Sequence, residues 1–181
     1  MANDLRFNNV NIVYDKNGRY NLVISDAQIM FKNFNGNEKV FNGTVINERG
    51  NRNFCVRIES EEAVQWLQNE GWNIKFTKAR EGYEPAAYIP VKVKFSIFPP
   101  MVRRYSGSTM VDLNEDTVGQ LDNDVVEIAD LVINPSYYDG FNGKGIAAYL
   151  KTGYFTVERD PFADKYEHYG NVTEDSEAVP F

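Results

Sequence analysis

The sequence predicts an all-β fold, arranged as a Greek-key barrel or a sandwich and carrying one main helix. Three observations predict it. Short stretches of alternating apolar and polar residues fill most of the chain, Asn-Gly pairs punctuate them, and helical periodicity is convincing in one segment alone.

The first half supplies most of the turns. Val10, Ile12 and Tyr14 alternate with polar residues up to Asn17-Gly18, a tight hairpin signal. Tyr20 to Ile24 and Ile29 to Phe34 read as further strands, the second ending at another turn, Asn35-Gly36. Val40 to Ile46 and Asn53 to Ile58 read as two strands flanking a polar, basic loop tip, Asn47 to Arg52. Ser60 to Gly71 is the helix: Ser60 can cap it, Glu61 and Glu62 suit its positive end, and Gly71 suits its stop. Ala63, Trp66, Leu67 and Glu70 share one helical face, which makes Trp66 a core anchor rather than a base-stacking ring.

The second half begins with Trp72 to Thr77 as a strand, followed by Tyr88 to Phe98, the longest alternating stretch in the chain. Gly107 to Leu113 and Val125 to Asn134 bracket an acidic segment, Asn114 to Asp124. A glycine-rich turn over 139–145 leads into a long last strand, Ile146 to Val157. Past Arg159 the periodicity fades, so the expected division is a folded domain over 1–158 and a flexible acidic tail over 159–181.

Composition removes most catalytic chemistry. The chain of 181 residues has one cysteine, Cys55, and one histidine, His168, which excludes an intramolecular disulfide, a multi-cysteine zinc site and a multi-histidine metal site. Cys55 lies between Phe54 and Val56 and reads as a small buried hydrophobe. No cofactor and no metal are expected. The start of the chain lacks a basic-plus-apolar signal and no run approaches eighteen apolar residues, so the expectation is a soluble cytoplasmic protein without a membrane partner.

Net charge is −7, yet its distribution matters more. Residues 73–104 carry a net +5 while 105–158 carry −7. A concentrated positive strip on an acidic protein holds phosphate locally while the remainder limits indiscriminate binding.

The strip coincides with a patterned strand. In Tyr88 to Phe98, Ile89, Val91, Val93, Phe95 and Ile97 point one way, toward a core. Tyr88, Pro90, Lys92, Lys94, Ser96 and Phe98 point the other way, two lysines framed by two aromatics. Ammonium groups track phosphates while rings stack on unpaired bases, at about 1–3 kcal/mol per base. The last strand repeats the pattern with Tyr149, Lys151 and Phe155, although a bulge at Gly153 would exchange Tyr154 for Phe155 on that face. Arg103, Arg104 and Tyr105, just after Pro99-Pro100, are placed to close one edge of the groove, and Lys75 adds a cation beside it.

Several blocks resemble phage single-stranded DNA-binding proteins of the OB-fold type. They are Arg52-Asn53-Phe54, the run Glu70-Gly71-Trp72-Asn73-Ile74-Lys75, Val91-Lys92-Val93-Lys94-Phe95 with Pro99-Pro100, Asp112 to Asp116, and Gly145 to Leu150. The resemblance covers about residues 50–160. It implies an OB-fold-like Greek-key barrel with elaborations that coats and protects single-stranded DNA with little sequence preference. The tail adds a second resemblance, to the acidic C-termini of bacterial single-stranded DNA-binding proteins that end in Pro-Phe. Glu174, Asp175, Glu177, Pro180 and Phe181 match it, with Ala178-Val179 departing from the usual tip. It implies recruitment of replication or recombination proteins, and in the free protein such a tail can compete with DNA for the groove. A homo-oligomer such as a dimer is compatible with all of this. Two other classes stay open: a Mg²⁺-dependent nuclease built on Asp112, Glu115, Asp116, Asp122, Asp124, Glu127 and Asp130, and an acidic protein that imitates DNA over 105–134.

Overall fold

One bent chain segment organises the molecule. In this computed structural model, which describes residues 3–159 and Phe162, strand β3 (Tyr20–Ala27) runs almost directly into β4 (Ile29–Asn33). The bend lies at Asp26, a non-glycine residue with φ of 51°, whose amide donates to the Asp130 carboxylate at 2.9 Å. Because the segment bends, its two halves pair with opposite ends of the same sheet. β4 pairs with β7 (Arg52–Ile58), and β7 pairs along its whole length with β9 (Ala87–Val93). β9 meets β13 (Gly143–Val157) in parallel, β13 pairs with β12 (Val126–Gly140), and β12 returns to β3. Five strands thus form a closed circuit with Greek-key connections and one parallel contact, an OB-like barrel.

The barrel is filled from the inward-facing positions of these strands. Phe34, Phe54 and Phe155 are fully buried and meet ring to ring, with centroids 5.2, 5.4 and 5.8 Å apart. Val91, Leu131, Ile133 and Leu22 continue the same core. Burial of this kind contributes roughly 25 cal/mol per Å² of apolar surface and is the main force closing the circuit.

The helix follows its sequence signals. α1 (Glu61–Glu70) begins where the Ser60 hydroxyl accepts the Ala63 amide, and ends at Gly71 with φ of 105°. It buries Ala63 and Leu67, and packs Trp66 edge-on against Tyr20 at 5.3 Å. Trp72 donates its indole N–H to the Tyr20 hydroxyl at 2.9 Å. Both tryptophans therefore belong to the body and away from any base-stacking surface.

Elaborations surround the barrel, and several depart from the sequence reading. β1 (Leu5–Phe7) and β2 (Val10–Tyr14) extend the sheet beyond β3, with the expected turn at Gly18. The single strand expected over Val40 to Ile46 is instead a hairpin, β5 (Lys39–Phe41) and β6 (Thr44–Asn47). Its turn, Asn42 (φ 50°) and Gly43 (φ 78°), has positive φ at both central residues, which Asn-Gly adopts readily. β8 is two residues long, Lys75–Phe76, rather than the whole of Trp72 to Thr77. β10 (Met101–Ser106), unread in the sequence, forms a hairpin with β11 (Thr109–Leu113) and lies parallel to the second half of β13. Adjacent Arg103 and Arg104 after two prolines break the alternation that would have marked it. β12 extends well past Asn134, and β12 and β13 turn at Phe141-Asn142. Among the described residues no helix is long and apolar enough to cross a membrane. The expected tail, with Glu174, Asp175, Glu177, Pro180 and Phe181, lies outside the described residues.

Candidate nucleic-acid interface

Strand register brings the predicted side chains together. Asn53 of β7 pairs with Lys92 of β9, Lys92 pairs with Tyr149 of β13, and Tyr149 pairs with Asn134 of β12. Paired residues project from the same side of a sheet, so these four form one row across four strands. Two residues along, Cys55 pairs with Pro90 and Ser136 with Ala147. Beyond that, Tyr88 pairs with both Arg57 and Lys75. The alternate positions of β9, Ile89, Val91 and Val93, are buried in the barrel. Inside and outside are thus separated by the period of two that the sequence displays.

Tyr149 is the centre of the face. The ammonium groups of Lys92 and Lys94 each lie 5.6 Å from its ring centroid, both lysines being exposed. Among the described residues no carboxylate forms an ion pair with Lys92, Lys94 or Lys151. Their charge is available to a ligand. Depressions of about 370, 780 and 450 Å³ meet here, each bordered by two of Lys92, Lys94 and Tyr149. The first reaches the loop Asn47 to Arg52, the second runs to Phe98 and Lys151, and the third runs to Tyr138. Tyr138 lies over Gly145, where a Cβ would overlap its ring, so the absence of a side chain at 145 sets the wall of the third depression.

The face continues along β13 after a change of phase. Val132 pairs with Thr152 and Ile133 with Leu150, leaving Lys151 as the extra residue of a bulge. Beyond it the even-numbered residues face outward. Tyr154 accordingly carries the aromatic position, with the Arg103 guanidinium 5.4 Å from its ring centroid and Tyr105 edge-on at 5.8 Å. This second cluster is a cation over one of two contacting rings, on the outer side of the sheet like Lys92 and Tyr149.

Two expected site residues are corrected. Phe155 is fully buried among Phe34 and Phe54, because the bulge comes before Gly153 and turns residue 155 inward. Gly153 serves that packing, since a Cβ there would stand 2.6 Å from the Phe155 ring. Arg104 lies on the opposite side of β10 from Arg103 and grips Asp124 with two hydrogen bonds of 2.8 and 2.9 Å. Ile97, expected inside, is 87% exposed beside Phe98, also 87%. Arg103 faces the interface but is tied to Asp112 at 2.9 Å, so part of its charge is compensated. Tyr88, Lys92, Lys94, Tyr105, Tyr149 and Lys151 stand on the shared face, Phe98 overhangs it, and Lys75 stands at its margin beside Tyr88.

Sequence reasoning missed Asn53, Asn134 and Tyr138 as parts of the face, and had Tyr154 as the alternative to Phe155. No local signal marks the first three, which join the face only through pairing between distant strands. Arg52 is a further addition: its Nε is buried without a hydrogen-bond partner among the described residues, while its outer nitrogens meet Glu115.

Five of the seven carboxylates named for a nuclease have other engagements, Glu115 with Arg52 among them. Asp122 accepts the amides of Phe34 and Asn35 at 2.7 and 2.9 Å, Asp124 holds Arg104, Asp112 holds Arg103, and Asp130 accepts Asp26. Among the described residues no three His, Cys, Asp or Glu side chains converge on one ion position.

Burial sets the chemistry of the one cysteine. Cys55 projects from the shared face next to Pro90, and desolvation pushes its thiol up to about 11 despite Lys75 and Lys39 nearby. At neutral pH the thiol is therefore mostly protonated, which lowers its reactivity.

Comparison with known proteins agrees with the fold. Residues 12–180 match a family model described as a putative phage ssDNA-binding domain. No curated protein matches the chain. Similar folds occur in the single-stranded DNA-binding protein from bacteriophage Enc34. Its C-terminally truncated form has 12% identity and a TM-score of 0.52, covering 90% of this chain and 99% of that one. A second structure of the Enc34 protein gives 12% and 0.51, with 89% and 93% covered. The same protein in complex with ssDNA gives 12% and 0.50, with 87% and 96% covered. At that identity the likeness is one of fold.

Proposed function

The chain belongs to the family of putative phage ssDNA-binding domains, and on that premise we propose that it coats single-stranded DNA across the outer face of β7, β9, β13 and β12. One observation carries the placement: the row Asn53, Lys92, Tyr149, Asn134, with two ammonium groups, in no ion pair among the described residues, over one half-exposed ring. An unpaired base stacks on Tyr149 while Lys92 and Lys94 hold the phosphates on either side. Tyr88 with Lys75 at one end, and Arg103, Tyr105 and Tyr154 at the other, lengthen the track. Asn134 and Ser136 offer donors and acceptors, and Asn53, whose amide NH2 donates to Asn47 and Asn51, offers an acceptor, all without the fixed bidentate geometry that reads one base. The strand is therefore held through backbone charge and stacking, with little sequence preference, and is shielded from other reagents while bound.

The tail completes the proposal. Glu174, Asp175, Glu177, Pro180 and Phe181 combine acidic groups with an aromatic ring, suited to a basic rim around an apolar pocket on a replication or recombination protein. The same negative charge competes with DNA for Lys92 and Lys94 in the free chain.

Titration of fluorescently labelled dT oligomers, read by anisotropy at two salt concentrations, tests the proposal. Tight binding that weakens steeply with salt, and similar affinities for mixed sequences, are expected. Binding indifferent to salt, or cleavage of the oligomer on adding Mg²⁺, would contradict it. Tryptophan emission is a poor reporter here, since Trp72 is buried and Trp66 packs on the core.

A further inference from the structure

The loop between β9 and β10 is built unlike the rest of the face. The Phe98 amide donates to the Ser96 carbonyl at 2.7 Å, closing a three-residue turn around Ile97. Ile97 has φ of 65°, a left-handed conformation that a β-branched residue rarely adopts. The turn throws Ile97 and Phe98 outward together, each 87% exposed. Two large apolar side chains are thus held in water by a strained backbone, where a glycine and a polar residue would be at ease. Pro99 and the buried Pro100 stiffen the return, and both ends of the loop are anchored, since β9 and β10 each pair with β13.

Its position gives the tip a use. β12 occupies one edge of β13 throughout, so β9 and β10 share the other edge, and the loop crosses between them beside Leu150 and Lys151. On one side stands the cluster of Lys92, Lys94 and Tyr149, and on the other that of Arg103, Tyr105 and Tyr154. Ile97 and Phe98 also border the 780 Å³ depression together with Lys94, Tyr149 and Lys151. An apolar tip framed by cations is complementary to a ligand with apolar plates on an anionic thread, which describes unpaired bases on their phosphates.

We propose that Ile97 and Phe98 form a wedge that enters between two adjacent bases of the bound strand and breaks their stack between the two aromatic clusters. The inference rests on the proposed function and goes beyond it. Stacking on tyrosines holds a strand as it comes, whereas an inserted aliphatic residue remodels it. Each bound protein then imposes one unstacked step, and strands with strong intrinsic stacking bind less tightly than flexible ones.

The test uses the full chain and a dA oligomer in which 2-aminopurine replaces some adenines, because this base brightens when unstacked. The double variant Ile97→Ser, Phe98→Ser is compared with wild type at saturation, with anisotropy reporting binding and thermal unfolding reporting the fold. Both side chains are exposed, so the variant is expected to unfold at the wild-type temperature. At saturation the 2-aminopurine enhancement is expected to fall by half or more, and the preference for dT over dA oligomers to shrink. An enhancement equal to wild type in a saturated variant complex would overturn the wedge while leaving the binding face standing. The wedge is overturned equally if the variant alters only self-association of the free chain, which would make the tip a contact between copies. If the wild-type chain binds neither oligomer, the reading of the whole face falls.

Discussion

Replacing Lys92 and Lys94 with glutamine removes two ammonium groups and little else. Both are exposed, neither is in an ion pair among the described residues, and glutamine keeps much of the apolar stem. The magnitude follows from counterion release. With Lys92, Lys94, Lys151 and Arg103 on phosphates, a single strand gives a slope of log affinity against log salt of about −0.7 per contact, hence roughly −2.8. Between 50 and 200 mM salt the wild type should lose affinity roughly 50-fold. The double variant, with a slope near −1.4, should lose only about 7-fold over the same range. Anisotropy of a labelled dT oligomer at four or five salt concentrations measures both slopes. Arg104→Gln is the control: its guanidinium is bound to Asp124 on the other side of β10, so the slope should match wild type. A double variant with the wild-type slope would refute the reasoning, and so would an Arg104 variant that loses slope as the lysines do.

Phe155 and Tyr149 make a contrasting pair. Phe155→Ala empties a buried site between two other rings and should cost about 3–5 kcal/mol of stability, seen as a lower denaturant midpoint. Tyr149→Ala should leave that midpoint nearly unchanged and weaken binding by about 1–3 kcal/mol. Gly145→Ala should displace the Tyr138 ring and reduce affinity severalfold, with little change in unfolding temperature because Tyr138 is half exposed. For Cys55, a thiol pushed up to about 11 is almost entirely protonated at pH 8. Alkylation of the native chain should therefore rise about tenfold per pH unit from 8 toward 11. The protonated thiol favours the fold below the ordinary thiol range, and that contribution is lost as pH climbs through about 11. Rapid alkylation of native protein at pH 7 would show that the thiol is not desolvated.

The proposed interface was legible where a strand is regular. β9 is paired to β7 along its whole length on one edge and to β8 and β13 at the two ends of the other, so the alternation from Tyr88 to Val93 translated directly into a core side and an outer side. It failed where backbone irregularity changes phase. A one-residue bulge at Lys151 reverses every later side chain of β13, which is why Tyr154 and not Phe155 reaches the surface. Gly153 hinted at the irregularity but could not locate it. Ile97 was lost for a similar reason, since its turn ends the alternation three residues after the strand itself stops. Asn53 and Asn134 lie 81 positions apart and join one row only through Lys92 and Tyr149, a relation that local patterning does not contain. The barrel class was readable from turns and strand lengths, whereas its closure depends on the bend at Asp26, which no Gly or Pro announces.

Photo-cross-linking of a dT oligomer to the full chain, with the linked residues identified by mass spectrometry, tests the account most directly. Thymine is expected to join Tyr149 first, and Tyr88 and Tyr154 along the same side of the sheet. Cross-links confined to Tyr14, Tyr83 or other rings away from β9 and β13 would place the strand elsewhere and contradict it.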